Sequence, residues 1–553
     1  MEAMDIKEGT PEKIKDRDPT PTDLLPVLQA RGKERMEIIL NSEHAQELFQ
    51  ALPEEEAYFT IKEIGEQDAI PLLSLMSNEQ CQYLLDLELW KGFEFNPDKV
   101  DHWLPFLLSC EEKTVSQWLR SINIDTLLLI LKKNIRVHIK EDDESLSPKE
   151  GETMFFSLDE NYSIEFLKPS LQNQMEQLLK SLAHMDLHFY WDLLNQVQDE
   201  IEVELEERAL HFKEARLEDK GFPPLEEALN IYQYLNPKRL KQMLQEKEIQ
   251  FLDLHSKEIP PTFPLTLKDQ GMLLSLCLKE MEQGTLLDRI KMELTYLTNQ
   301  VLVVEQPETI DLPTLQGGLK KVGGYLSIGL ELLSEGDLRK TREYLEQIPL
   351  KYLFQVGFGA SLELKWRAER IWKKSWFSEK GLPLSFLGSP WEERLKGLLR
   401  KRPLFYSEEP EMGYREFRSI EETRLIDRDL DRIDLLQKIL SSLPPFTYSE
   451  ELTWKTMLLS TLAHELAEPT LQYQPLSTEE TLLRLEQLHQ RKGDLKESFM
   501  GWFMERFNFL SEQDITTLNG LVTFLLEELH EAIERTKTSS SCEKMTDWFK
   551  FEL

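Results

Sequence analysis

The segment from residue 365 to residue 402 combines cationic and indole side chains. It contains 11 Lys and Arg against 4 Glu, a formal charge of +7 in a chain whose net charge is −35. Because guanidinium and ammonium groups pair with anions and also stack on indole rings, the segment predicts a site for an anion, a phosphorylated partner or an acidic helix. The candidate binding residues are Lys365, Trp366, Arg367, Arg370, Trp372, Lys373 and Lys374.

A structural interpretation explains the same segment without any partner. In that interpretation the tryptophans form a buried stripe, and the lysines and arginines pair with acidic neighbours in the same molecule. Trp372 and Trp376 are four residues apart, a spacing that would place them on one face of a continuous helix and that favours the structural interpretation.

One histidine pair has a spacing that is compatible with metal binding. His184 and His188 would share a helical face, as a zinc or iron pair requires, and Asp192 would extend that face. No partnered E-x-x-H motif follows nearby to complete the site, and the aromatic residues 189–191 indicate packing. We therefore expect both histidines to be structural, and we expect no cofactor. In the alternative, a metal-dependent enzyme, these three side chains would be the candidate metal ligands.

The remaining motifs of common enzymes are incomplete. Gly318 and Gly323 have the spacing of a phosphate-binding loop, but Gly324 occupies the position of the required lysine. Ser327 lacks the glycine two residues earlier that a nucleophile elbow needs, because that residue is Tyr325. The glycines, together with Gly329, instead favour close approach of helices. No catalytic residues are predicted, and enzymatic activity is not favoured.

The elements that would position these residues are mostly helices. Apolar residues recur at helical spacing along most of the 553 residues, and Ser77 with Gln80 predicts a capping box at a helix start. Residues 52–64 align with residues 76–88 at an offset of 24, and a looser copy begins at Ser121. The predicted fold is mainly α, with stacked short helical hairpins like those of a solenoid and a small β-hairpin insertion.

The pattern divides the chain into seven segments. The predicted segments are a flexible tail (1–43), a helical repeat domain (44–134), a small β insertion (135–168), a helical region (169–262), a helical region with the basic and aromatic segment (263–404), a C-terminal helical domain (405–537) and a tail (538–553).

Charge and cysteine content indicate the compartment. A net charge of −35 repels nucleic acid and anionic membranes, and no apolar run reaches the length of a membrane span. The charged first residues do not resemble a secretory signal. The four cysteines are far apart and form no C-x-x-C pair, so a disulfide framework is not expected. These features predict a cytoplasmic protein.

Three stretches resemble a known group of proteins: "LPEEEAYFTIKEIGEQDAIPLLSLMSNEQCQYLLDLELWKG", "EARLEDKGFPPLEEALNIYQYL" and "GGYLSIGLELLSEGD". Their order resembles that of a family of large, mostly helical bacterial proteins of unknown function. The repeats between residues 44 and 133 are also similar to the N-terminal helical repeats of bacterial magnesium transporters and of the flagellar motor switch protein. Neither resemblance implies catalytic residues or a cofactor.

The function expected from this architecture is protein–protein interaction, as a scaffold or a regulatory subunit. An acidic surface selects basic partners, whereas the basic and aromatic segment could select an acidic one. Two alternatives stay open: a metal-dependent enzyme that uses the histidine pair, and a sensor of anions or nucleotides that uses residues 365–402. The oligomeric state does not follow from the sequence.

Overall fold

The computed structural model describes residues 21–140, 155–249, 251, 272–281, 284–308, 310–373, 375–409, 413–443, 452–467, 484, 495–508 and 510–538. The described chain is mainly α-helical, as the periodicity predicts. Its strands form three antiparallel sheets of two strands each.

The elements up to residue 229 are mostly short helices. In chain order they are α1 (Pro21–Gln29), α2 (Gly32–Leu40), α3 (Ala45–Gln50), α4 (Glu54–Ile64), α5 (Ile70–Leu73), α6 (Asn78–Glu88), β1 (Trp90–Lys91), β2 (Glu94–Phe95), α7 (Pro97–Leu108), α8 (Glu112–Ser121), α9 (Ile124–Asn134), β3 (Ile135–Ile139), β4 (Tyr162–Phe166), α10 (Gln172–Met185), α11 (Leu187–Asp199), α12 (Glu202–Asp219) and α13 (Leu225–Leu229).

Helices of 4 to 27 residues and a third pair of strands follow. They are α14 (Pro237–Glu246), α15 (Leu273–Glu280), α16 (Thr285–Glu305), α17 (Leu312–Ser334), α18 (Leu338–Gln347), α19 (Leu350–Lys373), α20 (Trp376–Glu379), α21 (Trp391–Leu398), β5 (Phe405–Tyr406), β6 (Tyr414–Arg415), α22 (Ile420–Ser441), α23 (Trp454–Ala467), α24 (Leu495–Arg506) and α25 (Glu512–Thr538).

The chain divides into two compact units. Unit 1 comprises residues 1–231, 252–267 and 282–320, and unit 2 comprises residues 232–251, 268–281 and 321–553. Helices α1–α13 and α16 belong to unit 1, and α17 has its first residues there. The finer division into seven segments stays a prediction.

Unit 1 contains the helices that the 24-residue offset relates. Helices α4 and α6 have 11 residues each and pack on each other. The capping box at the start of α6 is confirmed: the Ser77 hydroxyl accepts from the Gln80 backbone N–H at 3.1 Å, and the Gln80 side chain accepts from the Ser77 N–H at 3.0 Å. Whether these helices are true repeats stays a prediction.

The segment expected to be a flexible tail is helical in its described part, which corrects that prediction. Helices α1 and α2 cover most of residues 21–40, and the side chain of Arg35 on α2 is 2% exposed. Its Nη1 donates to a carboxylate oxygen of Glu56 at 2.8 Å, and its Nε donates to the carbonyl oxygens of Val27 and Ala30, each at 2.9 Å. A buried charge with that many partners anchors both helices to α4.

The expected β insertion is present in unit 1. Strand β3 pairs antiparallel with β4, with Ile135 opposite Phe166 and Ile139 opposite Tyr162. The turn before β4 forms because the Asp159 carboxylate accepts from the backbone N–H groups of Asn161 and Tyr162, at 2.8 and 2.9 Å. Alternation of buried and exposed residues along β3 explains why this segment is a strand.

In unit 2, α19 is the helix on which others pack. It contacts α14, α20, α21 and α22, and α22 in turn contacts α25. Helix α19 reaches α17 through glycines: a Cβ atom on Gly329 would lie 2.2 Å from the carbonyl oxygen of Leu353. A Cβ on Gly324 would lie 2.6 Å from the carbonyl oxygen of Phe417. Both positions confirm that the glycine-studded segment serves close backbone approach.

Candidate functional site

Helix α19 carries the first part of the predicted basic and aromatic segment, and α20 and α21 carry two shorter parts of the remainder. Helix α19 ends at Lys373. The next helix, α20, is capped by the Ser375 side chain, whose hydroxyl accepts from the Ser378 N–H at 3.2 Å. Lys374 lies outside the described residues. The other six candidate binding residues are therefore all on one helix.

Several cations of the segment have acidic partners in unit 2. Arg367 forms ion pairs with Asp427 and Asp431 of α22, and Arg394 forms them with Asp429 and Glu408. Burial lowers the pKa of Arg367, but the hydrogen bonds and charges of Asp431 and Asp427 outweigh burial and raise the pKa. These pairs hold α19 and α21 against α22, which is the arrangement of the structural interpretation.

Lys365 is also occupied within unit 2. Its ammonium donates to the carbonyl oxygens of Arg400 and Lys401, at 2.6 and 2.9 Å. Those carbonyls follow the end of α21, where helix C-termini attract cations. Lys365 thus contacts the chain just after the end of α21.

The four tryptophans of the segment differ in exposure. Trp391 is 1% exposed and stacks on Trp454 with ring centroids 4.8 Å apart. Trp372 stacks on Phe377 at 5.7 Å, and Trp376 meets the same ring edge-on. Trp366 is 42% exposed and has one edge against Tyr234 at 4.9 Å. Of these indoles, Trp366 presents the most surface to a ligand.

A groove of 790 Å³ lies beside Trp366 on unit 2. Its apolar lining comes from three helices: Leu332 of α17, Ala360 and Leu364 of α19, and Ile420 of α22. The charged residues that line it are Glu363, Arg367, Glu369, Arg370, Lys373, Arg424 and Asp427. The structure therefore brings Trp366, Arg367, Arg370 and Lys373 of the predicted site to one groove, and leaves Lys365 and Trp372 outside its lining.

Two cations in the groove remain available to a ligand. Arg370 is exposed and forms no ion pair within 4 Å with any carboxylate of the described residues. Lys373 lies 3.9 Å from Glu369, and its side chain is 72% exposed. Such a loose and exposed contact is worth little, so both groups can exchange solvent for a carboxylate or a phosphate.

The geometry assumed for the histidine pair is wrong. His184 is in α10 and His188 is in α11, so one continuous helix does not carry both. The helix is interrupted between them because the Asp186 carboxylate caps α11 by accepting from the backbone N–H of His188 at 2.9 Å. Both histidines and Asp192 are exposed, and the His188 ring meets Trp191 edge-on at 5.4 Å. The described residues contain no cluster of three or more such ligands.

One polar cluster and one buried lysine were not predicted. In unit 2, Glu416 accepts from the Lys321 ammonium at 2.5 Å and from the Tyr325 hydroxyl at 2.6 Å. In unit 1, Lys213 of α12 is 8% exposed. The signal for Lys213 was present in the sequence, because Leu205, Ala209, Lys213 and Leu217 continue one apolar stripe at a spacing of four.

The described residues form a mainly α-helical protein with an exposed groove on unit 2. The chain belongs to a family of unknown function, DUF6178, which matches residues 13–547. No curated protein matches the chain. No solved structure matches it either. The likeness to magnesium-transporter repeats stays an expectation.

Within the described residues, none of the helices is both long enough and apolar enough to cross a lipid bilayer.

Proposed function

We propose that the protein is a protein–protein interaction scaffold or regulatory subunit whose α19–α22 groove receives an amphipathic helix of a partner. The observation that carries the proposal is the groove itself, with an apolar floor, the exposed Trp366, and cations at Arg370 and Lys373. Tryptophan and arginine are the side chains that most often dominate the free energy of binding at protein interfaces.

The length of the groove favours a helix over a compact ligand. Its lining follows α19 from Ala360 to Lys373, a distance of about 20 Å at the rise of an α-helix. A helix laid along such a surface contacts it with residues spaced three and four apart. The apolar residues of the partner would cover Leu364 and Ile420.

Charge indicates what the partner carries. Arg370 and Lys373 favour a carboxylate on the docked helix, at the position that faces the end of α19. The net charge of −35 acts at longer range and favours a partner that is basic as a whole. We therefore expect a basic protein with a local acidic residue on the docking helix.

Affinity purification from the native host at low salt tests this function. The groove variant combines Trp366→Ala with Arg370→Glu. The control combines Met504→Ala with Arg339→Glu, which changes one exposed apolar residue and one exposed arginine outside the groove. The wild type and the control should retain a stoichiometric basic partner, and the groove variant should lose at least about 30-fold in affinity, as expected for one interface hot spot.

Two outcomes contradict the proposal. Recovery of the wild-type protein alone excludes a stable partner, and equal retention by the groove variant places the contact elsewhere. Light scattering of the purified protein separates a third case: a dimer that the groove variant abolishes would make a second copy of this chain the occupant.

A further inference from the structure

A pocket in unit 1 has apolar walls and one buried amine. Its volume is about 100 Å³. The amine belongs to Lys213, and aromatic and proline side chains form much of the wall: Trp90, Phe93, Phe222, Pro223, Pro224 and Pro307. Phe93 is 38% exposed, so the pocket can be reached from solvent. No residue predicted from the sequence as functional lines this pocket.

The amine of Lys213 is buried, and it forms no ion pair with any residue that the structure describes. Its Nζ donates to the carbonyl oxygen of Gly92 at 3.0 Å and lies 5.1 Å from the centre of the Trp90 ring. No carboxylate of the described residues lies within 4 Å of Nζ. The nearby Asp86 is held by Arg216 through two hydrogen bonds of 2.7 Å.

Burial lowers the pKa of Lys213 to about 8, against the charges of Asp86 and Glu214, which raise it. These two carboxylates are the charged groups that act on the amine from α6 and from α12 itself. At neutral pH about a tenth of the Lys213 side chains are then uncharged, about 200-fold more than for a lysine of ordinary pKa. An uncharged amine in an apolar pocket is a nucleophile.

We propose that Lys213 forms a Schiff base with a small, uncharged aldehyde or ketone that binds in this pocket. The apolar walls favour an uncharged ligand, and Glu214 in the lining disfavours an anionic one. The proposal does not depend on the groove of unit 2.

The reaction needs no oxidant or reductant. The lone pair of Nζ forms a bond to the carbonyl carbon, and the carbonyl π electrons move to oxygen. Transfer of the proton from nitrogen to oxygen gives a carbinolamine. Loss of water then forms the C=N bond, so an amine and a carbonyl compound become an imine and water.

The size of the pocket limits the ligand. An apolar cavity of about 150 Å³ accommodates a benzene ring in a well-studied case. The pocket of unit 1 is somewhat smaller, but it is open to solvent, so part of the ligand can remain outside. We expect a single aromatic ring or a short aliphatic chain that bears the carbonyl group.

Reductive trapping tests the proposal. The full-length protein is incubated with benzaldehyde and cyanoborohydride, which reduces the imine but largely spares the free aldehyde, and the benzylated lysines are mapped by mass spectrometry of peptides. Lys213 should be modified at least about 50-fold faster at pH 7 than an exposed lysine such as Lys340. Its rate should reach half of its maximum near pH 8, the pKa of the amine. Benzoate, an anion of similar shape, should not compete.

Two variants make the result decisive. Lys213→Arg keeps a cation but cannot form an imine, so it should lose the fast modification, whereas Lys340→Arg should keep it. Modification confined to exposed lysines, with Lys213 unmodified in the folded wild type, would overturn the proposal. Equal fast modification in the Lys213→Arg variant would overturn it as well. Circular dichroism confirms that each variant is folded.

Discussion

Gly329 and Gly357 meet backbone to backbone where α17 crosses α19. A Cβ atom on Gly357 would lie 3.1 Å from the backbone nitrogen of Gly329, and one on Gly329 would lie 3.3 Å from the nitrogen of Gly357. The same Cβ on Gly357 would lie 1.9 Å from the carbonyl oxygen of Tyr325. At the point of crossing neither helix has room for a Cβ atom, so the close packing of α17 on α19 depends on both glycines.

Substitution at this crossing should destabilise unit 2. Gly357→Ala must push the helices apart, and we expect the free energy of unfolding to fall by about 3 kcal/mol, the upper range for overpacked cores. Urea denaturation measures the change. Gly317→Ala is the control, because a Cβ at that position of α17 meets nothing within 4 Å. Gly317→Ala should leave the stability unchanged or raise it by about 0.5 to 1 kcal/mol. Equal losses of stability in both variants would show that the helix crossing does not depend on Gly357.

The Glu416 cluster should contribute more than an exposed ion pair. Lys321 is 6% exposed, and the Tyr325 hydroxyl shares the same carboxylate. Glu416→Gln removes the charge while Lys321 stays buried, so the free energy of unfolding should fall by about 2 to 4 kcal/mol. Thermal and urea denaturation should agree. The control Glu421→Gln breaks an exposed ion pair with Arg424 and should change the free energy of unfolding little. A loss as large as that of Glu416→Gln would show that the Glu416 cluster contributes no more than an exposed pair.

The N-terminal helices should be part of the folded core. Arg35→Lys keeps the charge but loses the planar group that bonds two carbonyl oxygens and Glu56, so it should cost about 2 to 4 kcal/mol of unfolding free energy. Arg31→Lys, at an exposed arginine 3.8 Å from Glu63, is the matched control and should have little effect. Denaturation that does not distinguish the two variants would show that the Arg35 guanidinium does not anchor α1 and α2.

Lys213 should make the free energy of unfolding depend on pH above neutrality. Its folded pKa of about 8 lies below the unfolded value of about 10.4, so the unfolded chain binds more protons between these values. Stability therefore rises with pH across that window. Relative to Lys213→Met, the wild type should gain about 2 to 3 kcal/mol between pH 7 and pH 10. A difference that does not change with pH, measured by urea denaturation, would rule out the lowered pKa.

The sequence allowed prediction of local features that a few neighbouring residues determine. The capping box of Ser77 and Gln80 is such a feature, and so is strand β3, whose alternation is visible within five residues. The helical class follows in the same way from periodicity. The close approach at Gly324 and Gly329 was predicted because glycine has few other uses within a helix.

The errors have equally specific causes. His184 and His188 have helical spacing, but Asp186 between them prefers to cap a helix, and that local preference ended α10 before His188. Residues 1–43 were predicted to be a tail because the first residues are charged, whereas the side chain of Arg35 is buried against Glu56 of α4, which is 21 residues away. Local composition does not reveal such partners.

The groove could be predicted only in part. Its cations and Trp366 stand out in the sequence, but the groove exists because α22 packs beside α19, about 50 to 60 residues further along the chain. The acidic partners of Arg367 likewise come from α22. Pairings over this distance depend on the tertiary fold, which a single sequence does not specify residue by residue.

The central claim is that a partner helix docks between α19 and α22. Hydrogen–deuterium exchange of the protein, alone and with the partner recovered by affinity purification, tests it most directly. The account predicts slower exchange in residues 360–373 and 420–427, with no change in α12. Protection confined to helices outside the groove, with those two segments unchanged, would contradict it.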